Sequence, residues 1–326
     1  GDRSMLFRSI LLAMRVYHEE RSVDTKIREY LIDAEFLFEK RLYDSSIDLL
    51  KKAAVLADRF ERRQQMHEIL QMEAQIIKEK EIQSQVEKLQ KNHEAQASVL
   101  LLLQEESKLT SERNIVFALT RKNMYAAGTD TTAEMPKWID ESPRLQPARS
   151  FSWNFQRLSA MGLYHTRNGS YEKARNCYTL LNELWNKHPD RKDSDRLLYK
   201  KMLANSINAN QLLNNNTIVA DLIQTLKNSA CRTAEEEAEQ FQTAAFAELM
   251  LLMNIGNWKN LKKTVQEIEK GLHTYKNKIN KARELSFRIN IGMAWFILHE
   301  WKEAEKWLTS IIDQPKTDHR QDIQHL

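Results

Sequence analysis

The sequence predicts an all-α fold, an elongated array of antiparallel helix pairs. Three observations lead there. After Gly1 the next glycine is Gly128 and the first proline is Pro136, so the first third of this 326-residue chain has almost no turn punctuation. Apolar residues recur at helical rather than strand spacing. Four segments align with one another: "LIDAEFLFEKRLYDSSIDLLKKA", "LSAMGLYHTRNGSYEKARNCYTLL", "AFAELMLLMNIGNWKNLKKTVQEI" and "RINIGMAWFILHEWKEAEKWLTSII". Each reads as a helix, a tight turn followed by an aromatic, and a second helix.

Taken in order, "MLFRSILLAMRVYHEE" sets Leu6, Ile10, Ala13 and Met14 at helical spacing. Arg8 and Arg15 break its apolar run and no small-residue cleavage site follows, so it does not read as a signal peptide. The first residue is Gly1 rather than Met, from which a further domain upstream is expected. Residues 28–60 form the first helix pair, with Tyr43 after its turn. From 62 to 122 the apolar positions Met66, Ile69, Leu70, Ile76, Ile77, Ile82, Val86, Leu89, Leu100 and Leu103 are separated by charge-rich stretches. They predict two long amphipathic helices that continue the array, with a dimerising coiled coil as the alternative. Residues 1–122 therefore form an N-terminal long-helix block.

A linker is expected at 123–148, within "NMYAAGTDTTAEMPKWIDESPRLQPARS", which holds three of the five prolines. The repeat block runs from 149 to 315 and a polar tail from 316 to 326. Tyr171, Trp258 and Trp301, each the aromatic after a turn, lie 87 and 43 residues apart. One interval is close to double the other, so a further unit is predicted midway. "MLANSINANQLLNNNTIVADLIQTLK" fits, with Asn214 to Asn216 as the turn and Val219, Ile223 and Leu226 as the stripe of the next helix.

This pattern resembles the tetratricopeptide repeat. Ile291, Gly292 and Trp295 match that family's Leu-Gly-x-x-Tyr, Ala304 and Leu308 its Ala-x-x-x-Phe, and Pro315 its closing proline. Met161, Gly162, Tyr171, Ala174 and Tyr178 repeat most of the set. The resemblance implies an α-solenoid in which a small residue in each first helix lets the second approach closely. It covers 150 to 315 well and 28 to 60 in part. The period is near 43 rather than the family's roughly 34, and His165 stands where the family prefers tyrosine.

Composition narrows the chemistry. With 42% hydrophobic residues the chain can bury a sizeable core, and 49 basic against 45 acidic residues leave only a slight positive excess. Cys177 and Cys231 are the only cysteines, with no metal or redox spacing, so a reducing, cytoplasmic setting is expected. The most apolar stretch, "ASVLLLLQEE", is too short to span a bilayer, and no membrane insertion is expected. Neither phosphate-binding loop is present, "HEWKE" has no second histidine at zinc-helix spacing, and Cys177 has no histidine partner in view. His165 reads as a packed or capping residue. No enzyme activity, cofactor or metal is therefore expected.

The expected partner is another protein or peptide. In stacked helix pairs of this type the first helices line one surface, and their non-packing positions face a ligand. Those positions are Gln156 and Ser159; Asn205, Asn208 and Gln211; Met250 and Met253; Asn290 and Met293. A row of amides can hydrogen-bond an extended backbone, and methionines offer adaptable apolar pockets. The lysines and arginines of carboxylate-clamping tetratricopeptide grooves are nearly absent here. The chain therefore reads as a non-catalytic scaffold that binds a peptide or helix in the concave groove of its repeats. Two alternatives stay open: a regulatory sensor domain of a larger protein, and a nucleic-acid reader using the basic stretch at 259–283. Against the latter, the lysines fall on outward arcs, where a solvated face is the plain reading. Trp295 and Trp301 are expected to pack, whereas Trp307 either closes the end of the array or contacts a partner.

Overall fold

The computed structural model describes residues 4–10, 22–80, 84–125, 134–279 and 281–312. It is all-α and solenoid-like, with consecutive helices packed as neighbouring pairs and no strand among the described residues. Helical residues at 4–10 (α1) include Leu6 and Ile10, both exposed; Ala13 and Met14 lie outside the described residues. The polar tail at 316–326 and Ile82 lie outside them as well.

Two compact units divide the chain. The first contains α2 (Val23–Glu39), α3 (Tyr43–Arg59), α4 (Arg63–Lys80), α5 (Gln85–Tyr125), a 3-10 turn (Lys137–Asp140) and α6 (Phe151–Arg167). It also takes the later turns of α7 (Tyr171–Lys187) and the short α8 (Arg191–Ser194). Each of α2 to α5 packs on its successor. Ile27, Ala34, Leu50, Ala53, Ala57, Ile69 and Ile76 are its buried apolar cluster. Small residues set the α2–α3 approach: Ser46 is buried and donates its hydroxyl to the Ala34 carbonyl at 2.7 Å. The long-helix pair expected over 62–122 is α4 with α5, and α5 continues onto α6. Within the Pro-rich segment, residues 126–133 are outside the described residues. Further on, Ile139 is buried, Trp138 donates its indole N–H to Glu112 at 2.7 Å, and Glu141 pairs with the buried Arg157 at 2.7 Å. Glu61 caps α6: its two carboxylate oxygens accept the Phe151 and Ser152 amides at 2.8 and 2.9 Å.

The second unit takes the first turns of α7 and then α9 (Arg196–Leu212), α10 (Asn216–Lys227), α11 (Ala234–Asn254), α12 (Trp258–Thr274), α13 (Lys281–Ile297) and α14 (Trp301–Ile312). Each of α9 to α13 packs on its successor, and in addition α9 touches α11 and α11 touches α13. The first helices of the pairs therefore form a row. Leu249, Leu261, Val265, Phe287, Ile291, Ala294 and Trp295 lie in its buried core. At Gly292 a Cβ would meet the Leu308 side chain at 2.7 Å, so any larger residue would have to displace Leu308 where α13 and α14 meet.

Left-handed backbone marks the turn of five pairs. Gly169 (φ 74°), Asn214 (φ 56°), Gly256 (φ 67°) and His299 (φ 59°) stand 45, 42 and 43 residues apart, and Arg41 (φ 60°) does the same between α2 and α3. The unit predicted midway between Tyr171 and Trp258 is thus α9–α10, turning at Asn214. Its hydrogen bonds are those of the others: Asn215, Asn257 and Glu300 donate their amides to the carbonyls of Asn210, Leu252 and Trp295, five residues back. That is the Schellman C-cap, which needs one left-handed residue and favours glycine. Five residues after each left-handed position comes a buried side chain: Ser46, Ala174, Val219, Leu261 and Ala304. The turn and the core therefore keep the same period.

Candidate docking face

Counting back from the left-handed residue puts the first helices of the second unit in register. Six residues before it stand Asn208, Met250 and Met293; three before it, Gln211, Met253 and Phe296; nine before it, Asn205, Ala247 and Asn290. Asn205, Asn208 and Met293 are exposed, and neither asparagine side chain makes a hydrogen bond among the described residues. Met250 is half-buried, and Met253 is half-buried against the core. Two amides are committed to backbone instead of being open to a ligand. Gln211 donates to the Ala247 carbonyl on α11 at 2.9 Å, and Asn290 to the Ser286 carbonyl one turn back at 2.7 Å. Gln156 and Ser159 are half-buried on α6 in the first unit, where Gln156 accepts the Thr110 hydroxyl at 2.7 Å.

Two ties hold α9 beside α11. At one end is Gln211 on Ala247; at the other, Arg196 grips Glu236 with two guanidinium nitrogens, Nε at 2.8 Å. Burial alone would raise the Glu236 carboxyl, but the Arg196 hydrogen bonds and the Arg232 amide outweigh it and hold the group below the usual range. Thr233 caps α11 by accepting the Glu236 amide. Further along, Arg283 of α13 lies over the Phe246 ring of α11 at 5.3 Å.

Phe296 was not anticipated as part of this face. It is 56% exposed and shares its register with Gln211 and Met253, so position was the available signal. The tryptophans also depart from expectation. Trp295 packs as predicted, 4% exposed, but Trp301 is 54% and Trp258 47% exposed. Their rings lie over the turn: Trp258 covers Gly256, and Trp301 stands edge-on to Phe296 at 5.1 Å and His299 at 5.2 Å. In these two repeats the aromatic two residues after the left-handed residue folds back on the turn, whereas Tyr43, at the equivalent place after Arg41, packs against the core of the first unit. Trp307 instead leans on the core and donates its indole N–H to Glu269 at 2.8 Å, beside a recess of about 250 Å³ shared with Arg288 and His273.

Neither a protein-family model nor a curated protein matches this chain. Its face must therefore be read from its own residues.

In the basic stretch at 259–283, Lys262 pairs with Glu300 at 2.6 Å, Lys278 with Glu235 at 3.0 Å, and Lys263 with Glu267 at 3.7 Å. His165 and Cys177 are buried, as a packing role requires. Among the described residues no helix is long and apolar enough to cross a membrane.

Proposed function

We propose that this chain is a non-catalytic helical-repeat scaffold of the tetratricopeptide type, working in the cytoplasm, and that it docks a peptide or helix of another protein on the first helices of its second unit. One observation carries the reading. α9, α11 and α13 lie side by side, and their common register places the uncommitted amides of Asn205 and Asn208 next to the apolar Met250, Met293 and Phe296. Amides that make no internal hydrogen bond suit backbone recognition, and exposed Met and Phe supply adaptable apolar anchors. The resemblance to tetratricopeptide repeats supports the same surface, since that family uses its first helices for ligands. Ion pairing of the basic stretch favours a solvated face over phosphate recognition.

Affinity capture from the native lysate, run in parallel with wild type and an Asn205→Ala/Asn208→Ala/Met293→Lys variant of unchanged helicity, tests this. Partners retained by wild type and lost by the variant are expected. Identical recovery by both would refute the docking face.

A further inference from the structure

A second recess in this unit lies away from the first-helix row, between α10, α11 and α12, with a volume of about 400 Å³. That size falls in the range of ligand sites. It exists because α10 is short, 12 residues against the 17 of α12. The missing turns, about 7 Å of helix, leave part of α11 uncovered. Gln240 closes the end of α10 by donating to the carbonyls of Leu226 and Lys227 at 2.7 and 2.8 Å.

The walls are apolar and aromatic: Phe241 and Tyr275, with ring centroids 5.2 Å apart, and Ala244, Ala245 and Ile268. Three carboxylates line it against a single cation. Lys227 is taken by Glu248 at 2.6 Å, and Glu267 is approached by Lys263 at 3.7 Å. Glu237 has no ion-pair partner among the described residues. The C-terminus of α10 adds negative potential. One further group faces this space: Thr264 lines it, is 7% exposed, and has no hydrogen-bond partner for its hydroxyl among the described residues. Its hydroxyl is therefore open to a ligand in the recess.

We propose that this recess binds an organic cation with an apolar stem, an alkylguanidinium or alkylammonium, the charge facing Glu237 and Glu267, the stem against Phe241 and Tyr275, and Thr264 accepting its N–H. Aromatic faces next to carboxylates attract such groups by cation–π and ion-pair forms together. The same chemistry is carried by a free small molecule and by an arginine or lysine side chain of a peptide. This site does not depend on the first-helix docking face.

Isothermal titration of the full chain with n-butylguanidinium and with the blocked tripeptide Ac-Gly-Arg-Gly-NH2 tests it, each beside its neutral counterpart, n-butylurea and the citrulline tripeptide. Saturable binding of a cation, about tenfold tighter than its neutral counterpart, is expected. Thr264→Val and Glu237→Gln should each weaken it several-fold, while Asn208→Ala leaves it unchanged. Tighter binding of the tripeptide assigns the site to a partner's arginine; equal or tighter binding of n-butylguanidinium assigns it to a free small molecule. Absence of saturable binding by either cation at millimolar concentration, equal binding of the neutral probes, or wild-type affinity in both Thr264→Val and Glu237→Gln overturns the proposal.

Discussion

Trp307 and Trp295 donate their indole N–H groups to the same oxygen, Oε1 of Glu269, at 2.8 and 2.9 Å. One carboxylate on α12 thus fixes an indole from α13 and another from α14, joining three helices at the last repeat. Substituting Glu269→Ala strands both N–H groups, and a lost hydrogen bond of this kind costs about 1–3 kcal/mol. Urea denaturation should show a loss of that size. Trp307→Phe, which keeps the ring and removes one donor, should lose less.

Turn positions make a prediction with opposite signs at equivalent sites. Gly256 and His299 both adopt left-handed backbone in the same C-cap. Gly256→Ala should destabilise by about 1 kcal/mol, because a Cβ is strained at positive φ. His299→Gly removes that strain and should be neutral or stabilising by thermal melting, apart from the contact it gives up with Trp301.

Glu236 predicts a pH dependence. Its carboxyl is held below the usual range by Arg196 and the Arg232 amide, against its own desolvation. A lowered folded-state pKa contributes stability that is present above the unfolded value, about 4.3, and is lost as pH falls through the folded one. Glu236→Gln should therefore cost about 2 kcal/mol near pH 7. The gap to wild type should narrow below pH 4 as the wild-type carboxyl protonates. Denaturant midpoints of both proteins from pH 7 to pH 3 check this, and a gap that widens on acidification would contradict it.

On the docking face, function and stability should separate. Asn208 and Met293 are exposed, so truncation of each to alanine should change the unfolding free energy by no more than about 0.5 kcal/mol. Gln211→Ala is different: it breaks the tie to Ala247 and should lower stability by about 1 kcal/mol.

The repeat was legible because it leaves local marks. A left-handed turn favours Gly or Asn, and the buried residue five places on must suit close packing, so Asn214 and Val219 revealed a pair that carries no aromatic after its turn. Which aromatic reaches the core was not legible. Trp258 and Trp301 occupy the position that suggested packing, yet their rings fold onto Gly256 and His299, a choice made by turn geometry. The commitment of Gln211 was hidden for another reason, since its partner lies 36 residues away on α11. Likewise the recess beside Thr264 follows from the unequal lengths of α10 and α12, where no motif marks the ending.

The docking claim is tested most directly by hydrogen exchange on the chain bound to a peptide selected from a random displayed library. The account predicts slowed exchange in 205–211, 247–253 and 290–296, together with loss of that peptide's binding, about tenfold or more, in Asn208→Ala/Met293→Lys. Protection confined to α2–α5 or to the second helices, with full binding by the double variant, would contradict it.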